Sequence, residues 1–302
     1  MESLNQDMVI EILSHLPLKD KIHSSRVCKL WSDSNKYIYQ NQPVKIDFDK
    51  IQNPDFVKWI IKRNVNLSLD IRILDEFTRV GIQPILYPKI VELINAFSQY
   101  SITDIPDYIF EFENLVKLAI NWNRIQVVSE KVSNLQYLET LYLSFNNLTT
   151  LPDSFGKLKN LKNLYLQGNK FREIPKSIFE LENLSEMSLE NNYISSIDSS
   201  IHKLKKLEYL NLAENEFQDY PESVNDIQSL KYLHLTCNDI KIIPDSIIKL
   251  VNLVILNIGD NRIIHIPKSI FKLKHLIAIH ASQNFIDESI LSDIDTMKIV
   301  KI

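Results

Sequence analysis

The sequence predicts an α/β solenoid: a curved parallel sheet with short 3₁₀ or helical turns on its convex side, preceded by a small three-helix unit. Three observations predict it. From Leu115 to Asn284 an apolar pattern returns every 23 residues without insertion or deletion. An Asn recurs at the ninth position of each block, as Asn123, Asn146, Asn169, Asn192, Asn215, Asn238, Asn261 and Asn284. The first 42 residues have no share in this period and read instead as short helices broken by Pro17.

Each position of the block, LxxLxLxxNxIxxIPxxIxxLxx, has a physical task. The LxL stretch alternates as a strand does, so that Leu141 and Leu143 point inward and Tyr142 outward. The Asn stands where the chain leaves the strand, and its amide can serve the backbone groups stranded there. Ile174-Pro175, Ile243-Pro244 and Ile266-Pro267 hold an extended return segment, because proline disfavours helix at itself and at the residue before it. PxxIxxL then supplies the apolar side of a short outer turn. Asp198 replaces the expected Pro and should loosen one such turn.

This pattern resembles the leucine-rich repeat family, in its 23-residue intracellular class, over residues 92 to 302. About nine copies are expected, the first and last degenerate. In the first, Tyr100 stands where Asn belongs. Residues 43 to 91 hold two strand-like stretches, PVKIDF and NLSLDIRI, around a helix-like PDFVKWIIKR. They are a linker or adapter, or two irregular first repeats; the alternation favours the repeats.

A solenoid end needs a cap, which is one reading of residues 1 to 42. The segment carries more pattern than a cap requires. Met8, Ile12, Leu13 and Leu16 fall at helical spacing, Pro17 stops that helix, Asp20 can open a second, and Cys28 and Trp31 share a face of a third. With Leu4, Val27 and Lys29 these residues resemble the F-box, whose terminal VCKxW stands here as VCKLW; Asn5 replaces the family's usual Pro. The resemblance implies docking on a Skp-type adaptor, and through it a cullin, by Leu4, Leu16, Pro17, Val27, Cys28 and Trp31. It also implies that the chain is a substrate receptor of a Skp–cullin–F-box ubiquitin ligase, monomeric outside that complex, and not itself an enzyme. The alternative is a plain repeat scaffold for a signalling protein such as a small GTPase. A self-sufficient ligase is not expected, since the sequence ends at Ile302 directly after its repeats.

The target would bind the concave face. Its columns carry Trp122, Tyr142, Phe145, Tyr165, Tyr209, Tyr232 and His234, where a merely soluble surface would carry Lys and Glu. Such residues give large contact area with few rotors. Stacking across strands to stabilise the sheet is the structural alternative.

Composition excludes other classes. The net charge is −4 and no long run of one sign occurs, so neither nucleic acid nor an anionic membrane is an expected partner. No apolar run reaches membrane-helix length and no basic leader opens the chain. Two cysteines without CxxC spacing fit a reducing compartment, the cytoplasm or nucleus, and a host's cytoplasm if the source is viral or bacterial. Four isolated glycines form no phosphate-cradling loop, the His residues lack ligand spacing, and Cys237 has no base placed beside it. No cofactor, metal or catalytic residue is expected.

Overall fold

In the computed structural model, the described residues are 44–47, 67–70, 90–94, 101–286 and 299–301. The F-box residues Leu4, Leu16, Pro17, Val27, Cys28 and Trp31 lie outside them. So do the helix expected at 54–63, Tyr100, and the second half of the last block.

The described strands form one parallel sheet, each hydrogen-bonded to the next in chain order. They are β1 (Val44–Asp47), β2 (Leu67–Asp70), β3 (Ile90–Ile94), β4 (Lys117–Ala119), β5 (Thr140–Tyr142), β6 (Asn163–Tyr165), β7 (Glu186–Ser188), β8 (Tyr209–Asn211), β9 (Tyr232–His234), β10 (Ile255–Asn257), β11 (Ala278–His280) and β12 (Ile299–Lys301). From β4 to β11 the register is the sequence period. Leu118, Leu141, Leu164, Met187, Leu210, Leu233, Leu256 and Ile279 form one paired column, all of it buried. At about 1.5–3 kcal/mol for a fully buried apolar side chain, this column is a main source of stability. Strands also occupy both strand-like stretches before residue 90, and the sheet is continuous across residues 91 and 92.

The step into β4 departs from the expected frame. Glu92 pairs with Lys117, an offset of 25 residues (117 minus 92) rather than 23. The frame is recovered by Ile102, whose N–H donates to Asn123 Oδ1 at 3.3 Å, the contact that Ile125 makes with Asn146 Oδ1 at 3.1 Å. The offset is thus 25 at β3 and 23 again, against Ile125, at Ile102.

The Asn column works as expected and goes further. Asn169 Nδ2 donates to Leu143 O (2.9 Å) in the preceding block and to Leu166 O (3.0 Å) in its own, while Oδ1 accepts from Leu148 N at 3.0 Å. Asn146, Asn192, Asn238 and Asn261 repeat the same three contacts. One amide thus serves two successive turns of backbone that water does not reach.

On the other side, five-residue 3₁₀ turns such as Asp153–Lys157 and Lys176–Glu180 seat Phe155 and Ile178 in the core. Asp198 does not loosen its turn. Its carboxylate accepts from Ser200 N at 2.8 Å, and its backbone (φ −62°, ψ 141°) is what proline would adopt. Ser129 also stands in the proline position and caps Lys131 N at 3.2 Å, a second exchange that the sequence reading passes over. A cap satisfies a free N–H at the turn's start, which proline by itself does not. Asp198→Ala should therefore cost about 1 kcal/mol. Asp198→Pro should cost less, since its φ is already set. Chemical denaturation of the two variants checks the order.

Candidate functional site

The outward strand positions and the residues just past each strand make the candidate face. Tyr142 and Tyr165 lie on β5 and β6, with ring centroids 4.4 Å apart and planes 5° from parallel. Lys117 Nζ sits 5.5 Å from the centre of the Tyr142 ring, in cation–π reach. Trp122 and Phe145 follow β4 and β5 and stack at 3.8 Å and 10°. Tyr209 and Tyr232 meet at 6.3 Å, and Tyr209 meets His234 at 5.0 Å. The seven expected residues therefore form two groups. Four lie over β4 to β6 and three over β8 and β9, with the small buried Ser188 of β7 between them.

Trp122 and Phe145 hold left-handed backbone, φ 59° and 56°. The whole eighth column does the same: Gly168, Asn191, Glu214, Cys237, Asp260 and Gln283 have φ between 50° and 63°. The chain leaves each strand by this turn, and its N–H groups bond the next block, as Trp122 N does with Ser144 O at 3.0 Å. Left-handed backbone costs an L residue about 1–2 kcal/mol. The column includes Gly168, Asn191 and Asp260, types that tolerate the conformation. Trp and Phe do not, and bulky residues held this way concentrate at functional surfaces. What sets Gly168 apart in this column is space, since a Cβ there would lie 2.5 Å from Phe145 Cδ1. Phe145 thus lies flat between Trp122 and bare backbone.

The electrostatics of this face come from burial and from the carboxylates beside the rings. The Tyr165 hydroxyl is pushed up by burial and by its hydrogen bond to Glu186. Tyr209 is raised by burial and then by Glu186 and Glu190. His234 is lowered, first by burial and then by His280; its Nδ1 lies 2.7 Å from Asn257 Nδ2, which donates to the neutral ring. Cys237 is raised, first by partial desolvation of Sγ and then by Asp260, Glu214 and Glu190, which is the reverse of what a nucleophilic thiol needs. Among the described residues no three His, Cys, Asp or Glu side chains gather to hold a metal ion, and no helix is long and apolar enough to cross a membrane. A groove of about 420 Å³ runs along the rim, from Trp122 and Phe145 past Gln167 to Glu190 and Glu214.

Stacked three-residue parallel strands, an asparagine ladder and outer 3₁₀ turns define a leucine-rich repeat solenoid. Family models agree: one for a leucine-rich repeat region matches residues 106–219, and one for a leucine-rich repeat matches 227–241. A third, for the F-box domain, matches residues 1–34. The chain is an F-box protein with leucine-rich repeats. No curated protein matches it at a significant level. Among solved structures it is similar to a leucine-rich repeat protein of Leptospira interrogans, with 25% identity, 93% of this chain and 81% of that one covered, and a TM-score of 0.52. It shares its fold with internalin C2 of Listeria monocytogenes (22% identity, 65% and 83% covered, TM-score 0.55). The leucine-rich repeat ectodomain of the receptor kinase GASSHO1/SCHENGEN3 from Arabidopsis thaliana also shares the fold (24% identity, 73% and 26% covered, TM-score 0.54).

Proposed function

We propose that this chain is the substrate-recognition subunit of a Skp–cullin–F-box ubiquitin ligase. F-box and leucine-rich repeat domains together support a recognition role in such a ligase. The reading rests on one observation, an F-box at residues 1–34 joined to a solenoid that presents stacked aromatic rings to solvent. In this reading Leu4, Leu16, Pro17, Val27, Cys28 and Trp31 dock the adaptor. Residues 43 to 91 act as irregular repeats that join the F-box to the regular ones, and Trp122, Tyr142, Phe145, Tyr165, Tyr209, Tyr232 and His234 meet the target. The chain supplies no chemistry. It holds the target beside the catalytic subunits and so turns a bimolecular encounter into an effectively intramolecular one.

The test is a pull-down of purified Skp-type adaptor by the full chain, beside the Leu16→Ala/Trp31→Ala variant. Wild type should retain the adaptor. The variant, with an unchanged melting temperature, should lose it by about a thousandfold, the effect of two truncated anchors at about 2 kcal/mol each. A folded wild type that fails to bind would leave the alternative, a repeat scaffold with a cap.

A further inference from the structure

The solenoid separates charge between its faces. The third, fifth, seventh and eighth columns of the blocks from Leu115 onward form the strand face and its rim. Over the eight blocks that begin at Leu115 to Leu276 they carry one Lys or Arg, Lys117, against Glu186, Glu190, Glu214 and Asp260; a second, Lys301, pairs with His280 on β12 at the far end of the sheet. Elsewhere, acids are matched to lysines one repeat away: Glu139 with Lys162 at 2.8 Å, Glu180 with Lys203 at 2.7 Å, and Glu208 with Lys231 at 2.8 Å. Among the described residues none of the four face carboxylates has an ion pair. Glu190 accepts from Asn211 Nδ2 and Glu214 from Asn191 Nδ2, each at 2.9 Å. Neutral amides fix these carboxylates in place and leave their charge uncompensated.

The aromatic plates adjoin this charge. Trp122 is 63% exposed and Phe145 39%, at one end of the groove whose other end is Glu190 and Glu214. A ligand lying along it meets flat rings first and carboxylates next. Arginine suits both, since its planar guanidinium stacks on aromatic faces and forms paired hydrogen bonds with a carboxylate. Tyr209 and Cys237 lie beside these carboxylates, and both are raised, first by burial and then by the neighbouring negative charge.

We propose that this face takes a basic, arginine-bearing segment of the target, with the exposed Trp122, backed by Phe145, stacking on its side chains and Glu186, Glu190 and Glu214 pairing with its charges. The proposal rests on the reading of the concave face as the target site and adds the chemistry of what it holds. A phosphorylated or acidic segment would meet like charge along the groove.

Fluorescence anisotropy of the full chain tests this with three labelled Gly-Ser peptides of equal length, carrying three arginines, three glutamates or three phosphoserines. The arginine peptide should bind about tenfold tighter than the others or better, and should weaken as salt rises. Glu190→Gln/Glu214→Gln keeps the amide contacts and should lose about tenfold of that affinity. Trp122→Asn, which tolerates the left-handed turn, should weaken binding at every salt concentration. Equal binding of arginine and glutamate peptides, preference for the phosphopeptide, or full affinity in the folded Gln variant would overturn the proposal. Adaptor pull-down on the same preparations separates the two readings. Adaptor binding without arginine preference sinks this inference alone, and arginine preference without adaptor binding sinks the ligase reading alone.

Discussion

Asn169→Asp is expected to unfold more readily than Asn169→Ala at neutral pH, and the gap should close as pH falls. Alanine leaves Leu148 N, Leu143 O and Leu166 O without partners, at about 1–3 kcal/mol. Aspartate keeps an acceptor for Leu148 N but turns a negative charge on two carbonyl oxygens at a residue 4% exposed. An unpaired buried charge costs about 3–5 kcal/mol. Burial raises the folded pKa of such a carboxyl above its unfolded value of about 3.9. The folded state then binds the proton more tightly, so stability is lost as pH rises from about 4 through the raised pKa and regained on acidification. A protonated carboxyl also recovers one donor. Denaturation of both variants at pH 7 and pH 5 checks this. Equal, pH-independent losses would mean that the ladder donors contribute little.

Tyr142→Ala/Tyr165→Ala should keep adaptor binding and lose target capture. The two rings form one flat plate at 4.4 Å, and Tyr165 is braced by Glu186. Truncating an interface anchor costs about 2 kcal/mol or more, some thirtyfold, so both together should put capture beyond detection. Both rings are only partly exposed, so a thermal melt establishes that the variant is folded before capture is read. Co-precipitation from cells with wild type and variant, normalised to bound adaptor, reads the difference. An unchanged set of captured proteins would remove these residues from the target site.

The repeat was legible because each column performs the same backbone task in every turn. Asn169, Leu164 and Ile178 could be placed by position alone, and the parallel register from β4 to β11 follows from the period. What was not legible lies where one column has two solutions. Asp198 and Ser129 replace proline by capping the turn, so the composition changes while the backbone does not. The left-handed eighth column has no single residue type to mark it. Of the candidate face, the aromatic columns were legible, but their division into two groups depends on the small Ser188 of β7. The carboxylates of Glu186, Glu190 and Glu214 were overlooked because anchors were sought by size rather than by sign. The step of 25 before β4 was hidden because the block carrying it has no Asn to fix the count.

The fixed offset between neighbouring blocks has a consequence for how such a surface can change. From β4 to β11, strand pairing and the Asn ladder join the same places at one boundary after another. Removing a whole block presents each orphaned group with the same partner from the next block, whereas removing one residue inside a block misaligns every contact on both of its sides. Length is therefore adjustable in quanta of one repeat. A lineage can extend or shorten the candidate face by gene-level duplication or loss of single blocks, with the F-box at residues 1–34 left as it was.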